Sequence, residues 1–215
     1  GTNAHRAYAD FYEKEKKLFI STAIAFAAAI DAKDRYTHGH AERVTYYCMA
    51  VYEEMQLLGR VEFPPDFHET LQIAALLHDV GKIGTPDHIL NKKGALTKEE
   101  YEEIKRHPIT GASILYPIQE LKEVTEAIRH HQERYDGTGY PGELKGDQIP
   151  LAARIIMVAD TFDAMVSDRP YRPRVMEEVA IQEIKRGIGA QFDPKVVEGF
   201  LAAYEKGKIV TSTDQ

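Results

Sequence analysis

The sequence predicts an all-α fold, a compact helical bundle. Apolar residues recur at spacings of three and four through most of the 215 residues, which is the period of amphipathic helices. The strict alternation of apolar and polar residues that is typical of half-buried strands is almost absent. A chain of this length can bury a substantial core, so we expect one large domain.

Eight amphipathic segments account for this pattern. They are predicted as helices over residues 14–33, 41–58, 67–78, 97–106, 121–131, 151–167, 176–186 and 194–205. Thr97 and Glu100 have the spacing of a capping box, and Gly59 stands where helices often end on glycine. The connections at 81–95 and 135–150 are rich in glycine and proline and too long for simple turns, which predicts functional loops.

The chain divides into three predicted parts. Residues 15–206 form the main domain, residues 1–14 are an extension at the end of a linker or signalling helix, and residues 207–215 are a tail. The chain begins without Met and without a secretory pattern, which indicates a module cut from a longer protein.

The composition argues against several classes of protein. With 27 basic and 34 acidic residues and no basic block, a broad nucleic-acid surface is not expected. A small anionic ligand is compatible with this charge if local cations or metals override it. The longest apolar run, residues 18–30, is too short to span a bilayer. Cys48, the single cysteine, predicts a buried free thiol in a reducing compartment such as the cytoplasm.

Histidines and carboxylates at the ends of apolar runs predict a metal site. His78-Asp79 follows an apolar run that is predicted to be the buried face of a helix, and Asp160 follows the apolar residues 155–159. A buried carboxylate must be paired, protonated or bound to metal, because an isolated buried charge is too costly. Imidazole and carboxylate without thiolate suit Zn, Mn and Fe rather than a structural zinc site. One carboxylate can bridge two ions and hold a hydroxide between them, which suits phosphoester hydrolysis.

Three cationic side chains are candidates for holding a phosphate at such a site. Lys82 lies one turn beyond His78 in a glycine-flanked loop. Arg169 and Arg172 follow Asp160 by nine and twelve residues. A lysine offers a point charge and an arginine a planar fork, and both are used to bind phosphate oxygens.

Four segments of the sequence, in this order, resemble the HD-GYP family of bacterial signalling phosphodiesterases. This family is a branch of the HD superfamily of metal-dependent phosphohydrolases. They are "YTHGHAERV" (36–44), "LLHDVGKIGTPDHILNKKGALTKEEYEEIKRHPITGASIL" (76–115), "HHQERYDGTGYPGELKGDQIPLAARIIMVADTFDAMVSDRPYR" (130–172) and "FDP" (192–194). The resemblance covers residues 15–206 and implies a helical fold with two or three metal ions, usually iron or manganese. The implied activity is hydrolysis of cyclic di-GMP to pGpG and onward to GMP, through a metal-bridging hydroxide.

The resemblance also implies roles for individual residues. The implied metal ligands are His40, His78, Asp79, His107, His131 and Asp160. Asp79 is implied as the bridging carboxylate, and Asp79 and Lys82 as catalytic groups. The implied nucleotide contacts are Lys82, Tyr140, Arg169 and Arg172. The loop that contains Gly139-Tyr140-Pro141 is implied to contact diguanylate cyclase domains.

Two positions depart from the family pattern. The register fixed by Glu133 aligns His131 and Gln132 with a histidine pair, so a glutamine replaces the second ligand. Either its amide oxygen coordinates weakly or His130 reaches in, and in both cases one metal should bind less tightly. Tyr36 stands where three-metal members carry a glutamate, which favours a two-metal site.

Two alternatives to a cyclic di-GMP phosphodiesterase stay open. One is a degenerate binding module for cyclic dinucleotides or cyclases with little activity, which Gln132 keeps possible. The other keeps the enzyme and changes the substrate, to cyclic GMP-AMP or a nucleotide monophosphate. We also expect a cytoplasmic output domain of a larger sensor, and a homodimer formed through the N-terminal helix.

Overall fold

The structure is a computed structural model that describes residues 2–168 and 173–211. Its helices are α1 (Thr2–Lys33), α2 (His40–Leu58), α3 (Phe67–Leu77), α4 (Asp87–Leu90), α5 (Lys98–Ile104), α6 (His107–Leu115), α7 (Lys122–His130), α8 (Leu151–Val166), α9 (Glu177–Arg186) and α10 (Pro194–Glu205). The described residues contain no β-strand, only an isolated bridge between Ile188 and Phe192. The predicted all-α fold is confirmed.

The core lies between α2, α3, α8 and α10, which pack against one another. Tyr47 of α2, Phe162 of α8 and Phe200 of α10 form a chain of edge-to-face rings, with centroids 5.5 and 5.1 Å apart. All three rings are buried. Burying a side chain of this size stabilises the fold by roughly 1.5–3 kcal/mol, so this contact fixes the position of α8 against α2.

Three of the helices, α3, α7 and α8, run in the same direction. Their first turns line one cleft of about 840 Å³. At or near their other ends they carry His78-Asp79, His131 and Asp160 respectively. Since these helices also pack against one another, their C-terminal halves bring the three chemical groups to one place.

Two helices of the structure were not predicted from the sequence. One is α6, which has Pro108 in its first turn and Gly111 in its middle, and these two residues interrupt the helical pattern. The other is the short α4. The predicted end of the third helix at His78 is one residue too long, since α3 ends at Leu77.

The N-terminal helix α1 packs against the core only through its second half. Ala23, Ala27 and Ile30 are buried, whereas Tyr8 is 72% and Leu18 68% exposed. The predicted helix over 14–33 is thus part of a longer one. No helix in the described ranges combines the length and hydropathy that a membrane span requires.

The predicted buried free thiol of Cys48 is confirmed, because this cysteine is unpaired and buried in the core. Burial raises the pKa of this thiol well above its ordinary value, so it stays protonated. The predicted capping box is confirmed at the start of α5, where Thr97 and Glu100 form both of its hydrogen bonds.

Candidate metal centre

The six residues implied as metal ligands lie together, three of them within helices and three just after helix ends. His40 is the first residue of α2, and His107 is the first residue of α6. His78 and His131 directly follow α3 and α7. Asp79 follows His78, and Asp160 lies within α8. All are buried except Asp160, whose side chain is 19% exposed.

These residues form two groups, each compact enough to hold one ion. His40, His78 and Asp160 offer atoms within 4.8 Å of one another, and so do Asp79, His107 and His131. Each group mixes imidazole nitrogen with carboxylate oxygen, which suits Fe, Mn and Zn.

Asp79 stands between the two groups. Its Oδ2 lies 3.6 Å from Nε2 of His40 and 3.5 Å from Nε2 of His78. Its Oδ1 lies 3.5 Å from Nε2 of His107 and 4.0 Å from Nε2 of His131. Each carboxylate oxygen thus faces a different group, which is the arrangement a bridging ligand requires.

The histidine rings are held so that Nε2 points into the centre. Nδ1 of His78 donates to the carbonyl of Ala75 at 2.7 Å, and Nδ1 of His131 donates to Ile128 at 2.6 Å. His107 makes the equivalent bond with Ile104 at 2.8 Å. In each case the carbonyl belongs to the last turn of a helix, where it lacks an intrahelical partner.

The resulting Nε2 lone pairs are poorly satisfied by the protein alone. Nε2 of His78 is buried and has no hydrogen-bond partner within the described part of the chain. Nε2 of His107 and Nε2 of His131 face each other at 3.1 Å, although both are acceptors when Nδ1 carries the proton. A cation between them would satisfy both, so the residues present fit a metal ion.

His40 is oriented differently, by a buried carboxylate. Its Nδ1 lies 2.6 Å from Oδ2 of Asp163. Arg43 holds the same carboxylate with Nε at 2.7 Å and Nη2 at 3.1 Å. Sequence reasoning missed both residues. The available signal was the i, i+3 spacing of Asp160 and Asp163, which places them on one face of α8.

Lys82 lies at the edge of the centre. Its Nζ is 2.9 Å from Oδ2 of Asp79 and 3.3 Å from Oδ2 of Asp34. Burial opposes ionisation of Asp79, but the nearby charge of Lys82 lowers the pKa of that carboxyl well below its usual range. Lys33 donates to the carbonyls of Ile83 and Thr85 and so holds the turn that carries Lys82.

Protonation is unequal among the histidines. Burial, followed by the charges of His107 and His78, lowers the pKa of His131 to about 3. Burial also disfavours the charged form of His40, but hydrogen bonds to Asp160 and Asp163 raise its pKa to about 9. A ligand lone pair is therefore available on His131 at neutral pH without loss of a proton.

The structure distinguishes the two candidates for the missing ligand. His130 is engaged elsewhere: its Nδ1 lies 3.0 Å from Oε1 of Glu133. The side chain of Gln132 points toward the centre, with Nε2 3.5 Å from Oδ2 of Asp160. Tyr36 lies in the turn before α2, where its backbone amide donates to Asp34.

The Gly139-Tyr140-Pro141 loop has a cis peptide bond between Tyr140 and Pro141. Glu133, which is buried, holds the loop by accepting the amides of Gly142 at 2.6 Å and Leu144 at 3.2 Å. Burial, with smaller contributions from Tyr101, Asp160 and Asp79, raises the pKa of the Tyr140 hydroxyl. Arg169 and Arg172, the other implied nucleotide contacts, lie outside the described residues.

The sequence of residues 28–196 matches the HD domain family. The chain is 47% identical over 174 residues to a cyclic di-GMP phosphodiesterase of Thermotoga maritima, covering 79% of this chain and 45% of that protein. It is 38% identical over 192 residues to a cyclic di-GMP phosphodiesterase of Vibrio cholerae, covering 85% and 39% respectively. A 3′3′-cGAMP-specific phosphodiesterase of Vibrio cholerae is 36% identical over 171 residues, covering 80% and 36%. The chain spans less than half the length of these relatives.

Two solved structures share the fold. A cyclic GMP-AMP specific phosphodiesterase of Vibrio cholerae superposes with a TM-score of 0.69 at 23% identity, covering 88% of this chain and 49% of that one. An HDG"Y"P protein of Bdellovibrio bacteriovorus superposes with a TM-score of 0.62 at 19% identity, covering 91% and 63%. With its His78-Asp79 pair and its Gly139-Tyr140-Pro141 loop, the chain belongs to the HD domain family, in the HD-GYP branch.

Proposed function

We propose that this chain is the catalytic module of a metal-dependent phosphodiesterase that hydrolyses cyclic di-GMP to pGpG and onward to GMP. One observation carries the proposal: the two oxygens of Asp79 face two separate groups of metal-competent side chains. The similarity to the cyclic di-GMP phosphodiesterases of Thermotoga maritima and Vibrio cholerae supports the choice of substrate.

The proposed ligands are His40, His78 and Asp160 for one ion, and His107 and His131 for the other, with Asp79 shared. The mixture of imidazole and carboxylate favours iron or manganese. When bound, such ions supply Lewis-acid polarisation of a phosphoryl oxygen and lower the pKa of water.

The protein's own groups prepare the site for an anionic phosphodiester. In the hydrolysis, a water oxygen forms a bond to phosphorus, the bond from phosphorus to the ribose 3′ oxygen breaks, and a proton goes to that oxygen. Lys82 brings a positive charge to the edge of the centre and contributes to neutralising the charge that develops on phosphorus. The apolar residues before His78 are buried and exclude water from one side.

Cyclic GMP-AMP is the second candidate substrate. Three 3′3′-cGAMP-specific phosphodiesterases of Vibrio cholerae are 34–38% identical to this chain. The two candidates differ only in one purine base, which is guanine in cyclic di-GMP and adenine in cyclic GMP-AMP. A binding module without activity is the third outcome, because Gln132 replaces an implied ligand.

The proposed context is a bacterial cytoplasmic output domain within a larger sensor protein. We propose that two chains pair through the exposed apolar side chains of α1, among them Tyr8, Phe11 and Leu18. We also propose that the Gly139-Tyr140-Pro141 loop contacts diguanylate cyclase domains. Tyr8→Glu with Leu18→Glu should yield a monomer in analytical ultracentrifugation if the first of these contacts exists.

The activity is tested with protein loaded anaerobically with Fe(II) or Mn(II). It is incubated with cyclic di-GMP and, separately, with cyclic GMP-AMP, and the products are resolved by chromatography. We expect turnover of cyclic di-GMP that Asp79→Ala abolishes. Binding of both dinucleotides without turnover under either metal would show that the chain is a binding module and not an enzyme. Turnover of cyclic GMP-AMP alone would show that cyclic GMP-AMP, and not cyclic di-GMP, is the substrate.

A further inference from the structure

A cleft of about 700 Å³ opens beside the candidate metal centre, between the end of α5 and the Gly139-Tyr140-Pro141 loop. Gln132 and Met157 are among the residues that line this cleft. Gln132 also contacts Asp160, with Nε2 3.5 Å from Oδ2. The cleft therefore borders on the candidate metal centre at Gln132.

Lys105 lies in this cleft between two aromatic rings. Its Nζ is 5.1 Å from the ring centroid of Tyr140 and 5.7 Å from that of Tyr101. The Lys105 side chain is 28% exposed, and its carboxylate neighbour Glu102, at 3.2 Å, is 57% exposed. An ion pair this exposed contributes little, so an anionic ligand can take the place of Glu102 at small cost.

The other cations of the cleft are less suited to a ligand. Arg106 is 72% exposed, against 28% for Lys105, so solvent screens its charge more strongly. Nε of Arg134 donates to Oγ1 of Thr138 at 3.0 Å within the loop. Lys105 is the lining cation whose ammonium lies near the rings of both Tyr101 and Tyr140.

The proposed substrate has a part that needs such a site. A cyclic dinucleotide is a ring with two phosphodiesters on opposite sides, and only one of them can react at the metal centre at a time. The second carries a full negative charge and is flanked by two nucleosides. A cleft of this volume is in the usual range of about 300–1,000 Å³ for small-molecule sites.

We propose that this cleft holds the half of the cyclic dinucleotide that is not being cleaved, with Lys105 as the cation for the second phosphodiester. The rings of Tyr101 and Tyr140 then flank that half and confine it. The inference rests on the proposed function, and it assigns a ligand-binding role to Lys105 and Tyr101, which the sequence did not single out.

The test compares a dinucleotide with a substrate too small to reach the cleft. Steady-state kinetics are measured with cyclic di-GMP and with bis(p-nitrophenyl) phosphate for wild type, Lys105→Met, Lys105→Arg and Lys98→Met. Lys98, at the start of α5, does not line the cleft and controls for the lost charge. We expect Lys105→Met to raise KM for cyclic di-GMP about tenfold, the usual order for one charge-assisted contact, and to leave kcat/KM for the small substrate unchanged.

Lys105→Arg should retain most of the affinity, and Lys98→Met all of it. An unchanged KM in Lys105→Met, or an equal loss with both substrates, would overturn the proposal. Calorimetric binding of a phosphorothioate analogue of cyclic di-GMP separates this failure from that of the proposed function. If the wild type binds the analogue but does not hydrolyse cyclic di-GMP, the proposed phosphodiesterase activity is wrong. The ratio of the Kd values of Lys105→Met and wild type for the analogue still decides whether Lys105 binds the ligand.

Discussion

Oδ2 of Asp163 lies 2.6 Å from Nδ1 of His40, and both side chains are buried. This contact fixes which nitrogen of His40 faces the candidate metal centre. Arg43 balances the charge of the carboxylate from the other side. Asp163 is thus a positioning residue, since it acts on the centre only through His40.

Asp163→Asn should lower metal affinity about 10- to 100-fold, as is usual when a carboxylate that orients a ligand histidine is changed. The measurement is metal titration of the apoprotein followed by elemental analysis. The matched control is Asp168→Asn, which changes an exposed carboxylate beyond the end of α8. Equal metal affinity in the two variants would contradict the positioning role.

Gly81→Ala should disrupt the centre from outside it. A Cβ at Gly81 would lie 1.8 Å from the carbonyl oxygen of His107 and 2.6 Å from the amide of Gly111. In the variant, α6 must move away and carry His107 with it. We expect this displacement to lower the unfolding free energy by about 3 kcal/mol or more. Urea unfolding and metal titration measure the two effects. Gly94→Ala, where a Cβ meets nothing within 4 Å, should change neither.

Glu133→Gln should loosen the Gly139-Tyr140-Pro141 loop. The carboxylate accepts two loop amides and pairs with His130, and a neutral amide cannot accept all three contacts. We expect a loss of about 1–3 kcal/mol in unfolding free energy and faster proteolysis within residues 137–145. Glu120→Gln, on the exposed surface, is the control. Proteolysis at the wild-type rate would show that the loop is held by other contacts.

Gln132→His should strengthen the binding of one metal ion, because imidazole is a better ligand than a neutral amide for iron or manganese. The direction of the Gln132 side chain, toward Asp160, places the new ring beside the centre. The measurement is the number of ions bound per chain at limiting metal, which should rise relative to wild type. An unchanged number together with an unchanged rate would show that Gln132 does not weaken the site.

The stability of the fold should depend on pH through Glu54. Its buried carboxylate pairs with Lys206 at 2.6 Å and Lys208 at 2.8 Å, and these partners lower its pKa. A lowered folded-state pKa contributes stability above the unfolded value of about 4.3, and this contribution is lost as the pH falls through the folded pKa. The stability advantage of wild type over Glu54→Gln should therefore be constant from about pH 6 to 8 and shrink below about pH 4.5. A pH-independent difference in urea unfolding would contradict this.

The fold class and most helices could be predicted because they depend on local periodicity. The His78-Asp79 pair and the Gly139-Tyr140-Pro141 motif are short contiguous motifs that can be recognised in the sequence alone. Contacts between distant segments have no such sequence motif. Asp163 contacts His40 although the two residues are 123 positions apart, and no spacing rule indicates that pairing. Lys105 and Tyr140 meet for the same reason, through packing of α5 against a loop that follows α7.

The Nδ1 bonds of His78, His107 and His131 to helix carbonyls also limit how this centre can change over evolution. Each of these histidines closes the end of a helix with the same ring that faces the candidate ions. A cysteine or carboxylate at the same position could still coordinate, but it has no second nitrogen to donate to the carbonyl. Exchange of ligand type would thus cost helix stability as well as metal affinity, so variation should concentrate at positions such as Gln132 that lack this second task.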